Sequence, residues 1–211
     1  MSQVHTRTQN SNSGHLDIEL AEKIRSSDSA AFSTLFRKYY EPLYQFAGRY
    51  VRDPQTAENI VQDVFVKIWS KRERLNIQSN VKSYLYRAVT NHALNLLKRE
   101  RRMTGTKEEF DYRDISIKTP EEELIDREMV AAVHRAIDKL PTQCRRIYLM
   151  HRYDDLKYSE IAEILGISIN TVKTQMRRAL ISLHKYLSYL LYILIFSISL
   201  YQETIFNFFK K

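Results

Sequence analysis

The chain is poor in the residues that break helices and build tight turns: four glycines and four prolines in 211 residues. That scarcity argues against barrels and sandwiches with many tight turns, and it suits long helices. Cysteine is nearly absent. Cys144 stands alone, so no disulfide forms within the chain, as in a reducing compartment. The six histidines (His5, His15, His92, His134, His151, His184) are scattered, with no i, i+4 pair and no CxxC. No metal site and no cofactor are therefore expected. A glycine-rich phosphate loop and a nucleophile motif are also missing, which argues against an enzyme. The opening MSQVHTRTQNSNSGH is polar and lacks the apolar core of a secretory signal. Residues 1–15 are read as a disordered tail of a cytoplasmic protein.

What the chain has is positive charge: 33 Lys and Arg against 25 Asp and Glu, a net +8. Such an excess favours polyanionic partners, nucleic acid first, although a merely soluble basic protein carries it too.

Hydrophobic spacing divides the chain into two helical blocks, 16–103 and 121–185. In the first, Phe32, Leu35, Phe36, Tyr39, Leu43, Phe46, Ala47 and Tyr50 recur at intervals of three and four, one apolar helical stripe. Asp28 is a plausible cap for it, and Pro42 is expected to kink or break it. Asp53 and Pro54 then open a helix whose Ala57, Ile60, Val61, Val64, Phe65, Ile68 and Trp69 fill one face. Asn59, Gln62, Asp63, Val66 and Ser70 lie opposite. A polar loop, Asn76 to Asn80, precedes a helix from about Lys82 to Arg102 that ends in Lys98, Arg99, Arg101 and Arg102. Residues 104–120 invert the charge with Glu108, Glu109, Asp111 and Asp114 and read as a flexible acidic linker.

The second block carries KYSEIAEILGISINTVKTQMRRALISL, from Lys157 to Leu183. Ile161, Ala162 and Leu165 form the inner face of a first helix. Gly166 sits where a turn needs positive φ, and Ser168 or Asn170 can cap a second helix. Val172, Met176, Ala179 and Leu180 are expected to pack that helix inward. Ser168, Asn170, Thr171, Lys173, Thr174, Gln175, Arg177 and Arg178 are left as groups that reach bases and phosphates. The pattern is that of a DNA-binding helix-turn-helix, against the alternative of a plain helical hairpin.

Two motifs in order now resemble a known family, the extracytoplasmic-function group of sigma-70 factors. DPQTAENIVQDVFVKIW, Asp53–Trp69, resembles the helix that grips the polymerase clamp. LPTQCRRIYLMHRYDDLKYSEIAEILGISINTVKTQMRRAL, Leu140–Leu180, resembles the domain that reads the −35 element. The resemblance implies an all-α fold of two small helical domains, the second a helix-turn-helix, and a function in promoter-specific transcription initiation. It implies RNA polymerase core, promoter DNA and an anti-sigma factor as partners. Asn59, Gln62, Asp63 and Val66 would face the polymerase. NVKSYLYRAVTNHALNLLKRERR resembles the segment that holds the −10 element. On that likeness Asn76, Gln78, Ser79, Asn80, Tyr84, Tyr86, Arg87, Lys98, Arg99, Arg101 and Arg102 are the −10 candidates, loop amides holding an extruded base and aromatics stacking on others. The linker would lie along the path of nascent RNA. The competing reading is a free-standing operator-binding regulator that uses the first block to dimerise.

The tail, residues 186–211, is apolar, with no charge from Tyr186 to Gln202. Seventeen uncharged residues reach the lower limit for a spanning helix. Three readings stand: it packs on the chain itself, covers a partner surface such as an anti-sigma protein, or makes membrane contact. Any mutual contact of the two domains is expected to be small and basic on both sides.

Overall fold

Side-chain oxygens set the starts of three helices in the first block. The computed structural model describes residues 4–51, 53–75, 77, 80–104 and 126–188, with the backbone alone at 4–13, 101, 104 and 126–130. Helix α1 spans Val4–Arg25 and α2 spans Ser29–Gly48. The Asp28 carboxylate starts α2 by accepting from the Ala30 and Ala31 N–H groups at 2.8 and 3.0 Å. Asp53 starts α3 (Pro54–Ser70), accepting from the Thr56 N–H at 2.8 Å and its hydroxyl at 2.6 Å. After a 3-10 turn at Arg72–Arg74, the Asn80 amide oxygen accepts from the Ser83 N–H at 2.9 Å and opens α4 (Val81–Thr104). The second block holds α5 (Asp126–Asp138), α6 (Thr142–Arg152), α7 (Tyr158–Leu165) and α8 (residues 169–188). Every regular element among the described residues is helical. The expected linker, 104–120, lies outside the described residues apart from the last residue of α4.

Helices α1 to α4 close around one core. Leu20, Ala21 and Ile24 of α1, Leu35, Leu43 and Phe46 of α2, Ile60, Val61 and Phe65 of α3, and Leu85, Val89 and Ala93 of α4 are all buried. Between α2 and α3 the aromatic rings interlock: Phe36 and Phe65 lie 4.8 Å apart edge-to-face, and Phe32 and Trp69 lie 5.0 Å apart. A buried Asp17 on α1 accepts from Lys38 Nζ and the Tyr39 hydroxyl, both at 2.5 Å. That satisfied carboxylate ties α1 to α2 and leaves no unpaired buried charge.

Three expectations need correction. The stretch read as a disordered tail is helical from Val4; once Leu20, Ala21 and Ile24 dock, extending the helix upstream adds one hydrogen bond per residue with no new nucleation cost. Pro42 does not break α2, which runs through it to Gly48. The burial of Leu35, Tyr39, Leu43, Phe46 and Ala47 on either side outweighs the about 3 kcal/mol that an internal proline costs. Leu180, assigned to the inner face of α8, is 52% exposed, and Leu183 is buried in its place. The inward stripe is therefore Val172, Met176, Ala179 and Leu183, a repeat of four, three and four.

Candidate nucleic-acid and polymerase interfaces

The turn between α7 and α8 is fixed by backbone geometry. Gly166 adopts φ 65°, a left-handed conformation, and the Ile167 N–H donates to the Ala162 carbonyl at 3.0 Å. The chain thus leaves α7 and re-enters α8 after three residues. Ser168, not Asn170, is the cap: its hydroxyl oxygen accepts from the Thr171 N–H at 3.0 Å. With Val172, Met176 and Ala179 buried, α8 presents Asn170, Thr171, Lys173, Thr174, Arg177 and Arg178 to solvent along one face. Gln175 differs from them. It is half-buried and accepts from the Cys144 thiol at 3.0 Å, so its amide oxygen is engaged by α6. Burial pushes the Cys144 thiol up from its ordinary value, which keeps it a neutral donor.

On α3 the four polymerase-facing candidates share one surface. Asn59, Gln62, Asp63 and Val66 are all exposed, and Val66 is 64% exposed. Val66 is the apolar member of this otherwise polar face. Gln62 donates to Glu58 at 2.8 Å, and Asp63 lies 3.4 Å from His92 of α4. His92 is held below its ordinary pKa, chiefly by burial and then by the nearby Lys67 ammonium.

The −10 candidates divide. Asn76, Gln78 and Ser79 lie outside the described residues, as does the side chain of Arg101. Tyr84 is 40% exposed, and Arg87, Lys98, Arg99 and Arg102 are exposed. Tyr86 is a correction. Its ring is 1% exposed, with the Phe46 ring 4.7 Å away edge-to-face, so it is core in this arrangement and unable to stack on a base. A groove of about 530 Å³ runs between α3 and α4, floored by Val64, Ile68 and Ala88 and rimmed by Lys67, Lys71 and Arg99. Nothing in the sequence pattern pointed to it, since each helix contributes only half of its rim.

The sequence also gave no sign of how the two blocks meet. Helix α7 packs across the start of α4, and the contact joins opposite charges. It is not basic on both sides. Arg49, at the end of α2, pairs with Asp154, and the two side chains are only 3% and 4% exposed. Lys82 donates to the backbone carbonyls of Asp154 and Asp155, each at 2.8 Å. Asp155 sits at φ 49°, a left-handed turn that Asp tolerates better than most residues. Asn80 donates to Glu160 at 2.7 Å, and the other Glu160 oxygen accepts from the Lys157 N–H at 2.7 Å. Arg146 donates to the Tyr50 hydroxyl at 2.8 Å.

Comparison with known proteins decides the family. Residues 35–103 match the model of Sigma-70 region 2, and residues 131–183 match Sigma-70, region 4. The chain is 30% identical over 184 residues to the RNA polymerase sigma-H factor of Pseudomonas aeruginosa, covering 83% of this chain and 95% of that one. The chain belongs to the sigma-70 family, in its extracytoplasmic-function group. Another relative, the ECF RNA polymerase sigma factor SigW of Bacillus subtilis, is 26% identical over 175 residues, 79% of this chain and 94% of the relative. Among solved structures, CnrH in complex with the cytosolic domain of CnrY aligns at TM-score 0.58 and 21% identity, covering 82% of this chain and 97% of that one. RpoE in complex with the anti-sigma factor NepR from Bartonella quintana aligns at 0.57 and 22%, covering 74% and 96%. These two likenesses show the fold.

As a sigma factor, the chain binds RNA polymerase core and directs it to a class of promoters. The region 2 match contains α3 and all of α4 but its last residue, and the region 4 match contains α6, α7 and most of α8. Catalysis of phosphodiester synthesis lies with the polymerase. The sigma factor supplies recognition through binding energy.

Proposed function

We propose that three separate faces of this sigma factor divide the work of initiation. The exposed face of α3, with Asn59, Gln62, Asp63 and Val66, docks on the polymerase. The face of α8, with Ser168, Asn170, Thr171, Lys173, Thr174, Arg177 and Arg178, enters the major groove at the −35 element. Gln175 joins it only if it leaves Cys144. The −10 element is held by the loop before α4, by Tyr84 and Arg87, and by the basic end of that helix. The observation that carries this reading is the placement of buried stripes on α3 and α8. They leave the candidate side chains together on one solvent face of each helix. Phosphate contacts would supply much of the affinity and base-edge contacts the choice of sequence.

The test is reconstitution with core polymerase lacking other sigma factors, followed by run-off transcription from genomic fragments. Discrete new start sites are expected from the wild-type chain, and Arg177→Ala and Arg178→Ala should change which fragments are used. Loss of core binding together with tight, symmetric duplex binding by the chain alone would overturn the reading in favour of an operator-binding regulator.

One solved neighbour, RpoE, is a sigma factor in complex with an anti-sigma factor, which supports an anti-sigma protein as a further partner acting in the cytoplasm. Beyond residue 188 the apolar tail lies outside the described residues. No helix among the described residues is long and apolar enough to cross a membrane. Tyr186 is half-buried, with Lys139 Nζ 5.2 Å from its ring centre, and this favours packing of the tail's first turn on the chain. Fractionation of the full chain against a truncation after Lys185 separates that reading from membrane contact.

A further inference from the structure

We propose that Ile169 is a specificity-determining residue of this sigma factor, and that it reads a thymine of the −35 element through the C5-methyl group of that base. The inference rests on the assignment of α8 as the −35 helix.

Ile169 is the first residue of α8. In a helix-turn-helix the opening residues of the second helix are those that meet base edges in the major groove. What this end of α8 offers to a base is set by its cap. The Ser168 hydroxyl oxygen accepts from the Thr171 N–H at 3.0 Å, and the Ser168 and Thr171 hydroxyls share a hydrogen bond of 2.9 Å. Two polar groups at the helix start are therefore engaged with each other and with the backbone. Further along, the Gln175 amide oxygen is taken by the Cys144 thiol.

The apolar side chains on either side of the cap are engaged as well. Ile167 is half-buried and packs against the core, and Val172 is fully buried, so the pair fixes the entry of the chain into α8. Ile169, by contrast, stands 45% exposed. A lone exposed isoleucine means little on an ordinary surface. Here its place decides. Ile169, Lys173 and Arg177 follow one another at intervals of four along one exposed side of α8, so the row of cations ends in an apolar group at the end of the helix that meets bases. Among the groups a base pair shows in the major groove, the thymine methyl is the apolar one. Ile169 can cover it and gain. Against any other edge it strips water from a donor or acceptor and offers no bond in return.

The test uses holoenzyme reconstituted from core polymerase and the full chain, on a promoter recovered by the run-off assay above. Each thymine of its −35 element is replaced in turn by deoxyuridine, which removes the methyl and keeps the base pairing. One position should lose affinity by about fourfold, the effect of exposing one methyl-sized group. With Ile169→Ala the same replacement should change little, and Ile169→Val should bring the loss back. Because Ile169 is exposed, the melting temperature of Ile169→Ala should stay near that of the wild type. A wild-type holoenzyme indifferent to every such replacement, or a −35 element without thymine on either strand, would overturn the proposal. So would a deoxyuridine effect of equal size in Ile169→Ala, which would place the methyl contact on another side chain. Failure of the underlying assignment reads differently: if Arg177→Ala and Arg178→Ala also leave −35 use unchanged, α8 is not the reading helix and the inference falls with it.

Discussion

Arg177 and Arg178 sit on the exposed side of α8 while Met176 and Ala179 next to them are buried. Replacing either arginine by alanine should leave the fold intact. Each change should weaken −35 binding by the holoenzyme by about 1–3 kcal/mol if the guanidinium grips a base in two-point fashion. Binding titrations against matched and altered −35 sequences check this; a loss equal for all sequences would mean phosphate contact alone. Asp63 allows a similar separation of binding from folding. It is exposed, and its 3.4 Å approach to His92 is a surface pair worth about 0–1 kcal/mol at most. Asp63→Lys should keep the melting temperature nearly unchanged while lowering affinity for core polymerase, as read by co-purification or titration.

Helices and turns set the next level. A Cβ at position 166 would meet nothing within 4 Å, so any cost of Gly166→Ala comes from its φ of 65° alone. The left-handed conformation costs an alanine roughly 1–2 kcal/mol, and urea unfolding should show a loss of that size. Asp28→Ala removes the acceptor for two N–H groups at the start of α2 and should cost about 1 kcal/mol by the same measurement. Both losses belong to the element. Neither residue touches the faces of α3 or α8 assigned to partners, so residual activity should track folded fraction.

At the scale of the whole molecule, the contact between the domains holds a buried titratable carboxyl, that of Asp154. Burial pushes the Asp154 carboxyl up to about 6, against the opposing pull of Arg49 and Lys82. Once the domains part, the group is solvated and returns toward its ordinary value near 3.8. The packed arrangement thus binds the proton more tightly. Its advantage is full below the lower value and is lost as pH rises through the higher one. The contact between the domains should therefore strengthen as pH falls below about 6. Scattering across that range checks it, with Asp154→Asn expected to abolish the dependence. The other charged groups that face Asp154 across the contact are Arg49 and Lys82.

The amino-acid sequence by itself determined most of the helices, because apolar side chains at intervals of three and four can be satisfied in only one way. It also determined the caps at Asp28 and Asp53, the left-handed turn at Gly166 and the polar faces of α3 and α8. These are local properties, set within a turn or two of each residue. Tertiary structure decided what depends on residues distant in the chain. Pro42 stays helical because packing on both sides outweighs one lost hydrogen bond. Leu180 turns outward because Leu183 completes the stripe. Tyr86 leaves the list of stacking candidates because it is buried, with the Phe46 ring 4.7 Å away. The Arg49–Asp154 pair could not be read from any window of sequence, since its meaning arises only when the first domain's last α2 turn meets the loop before α7 and water is excluded from between them.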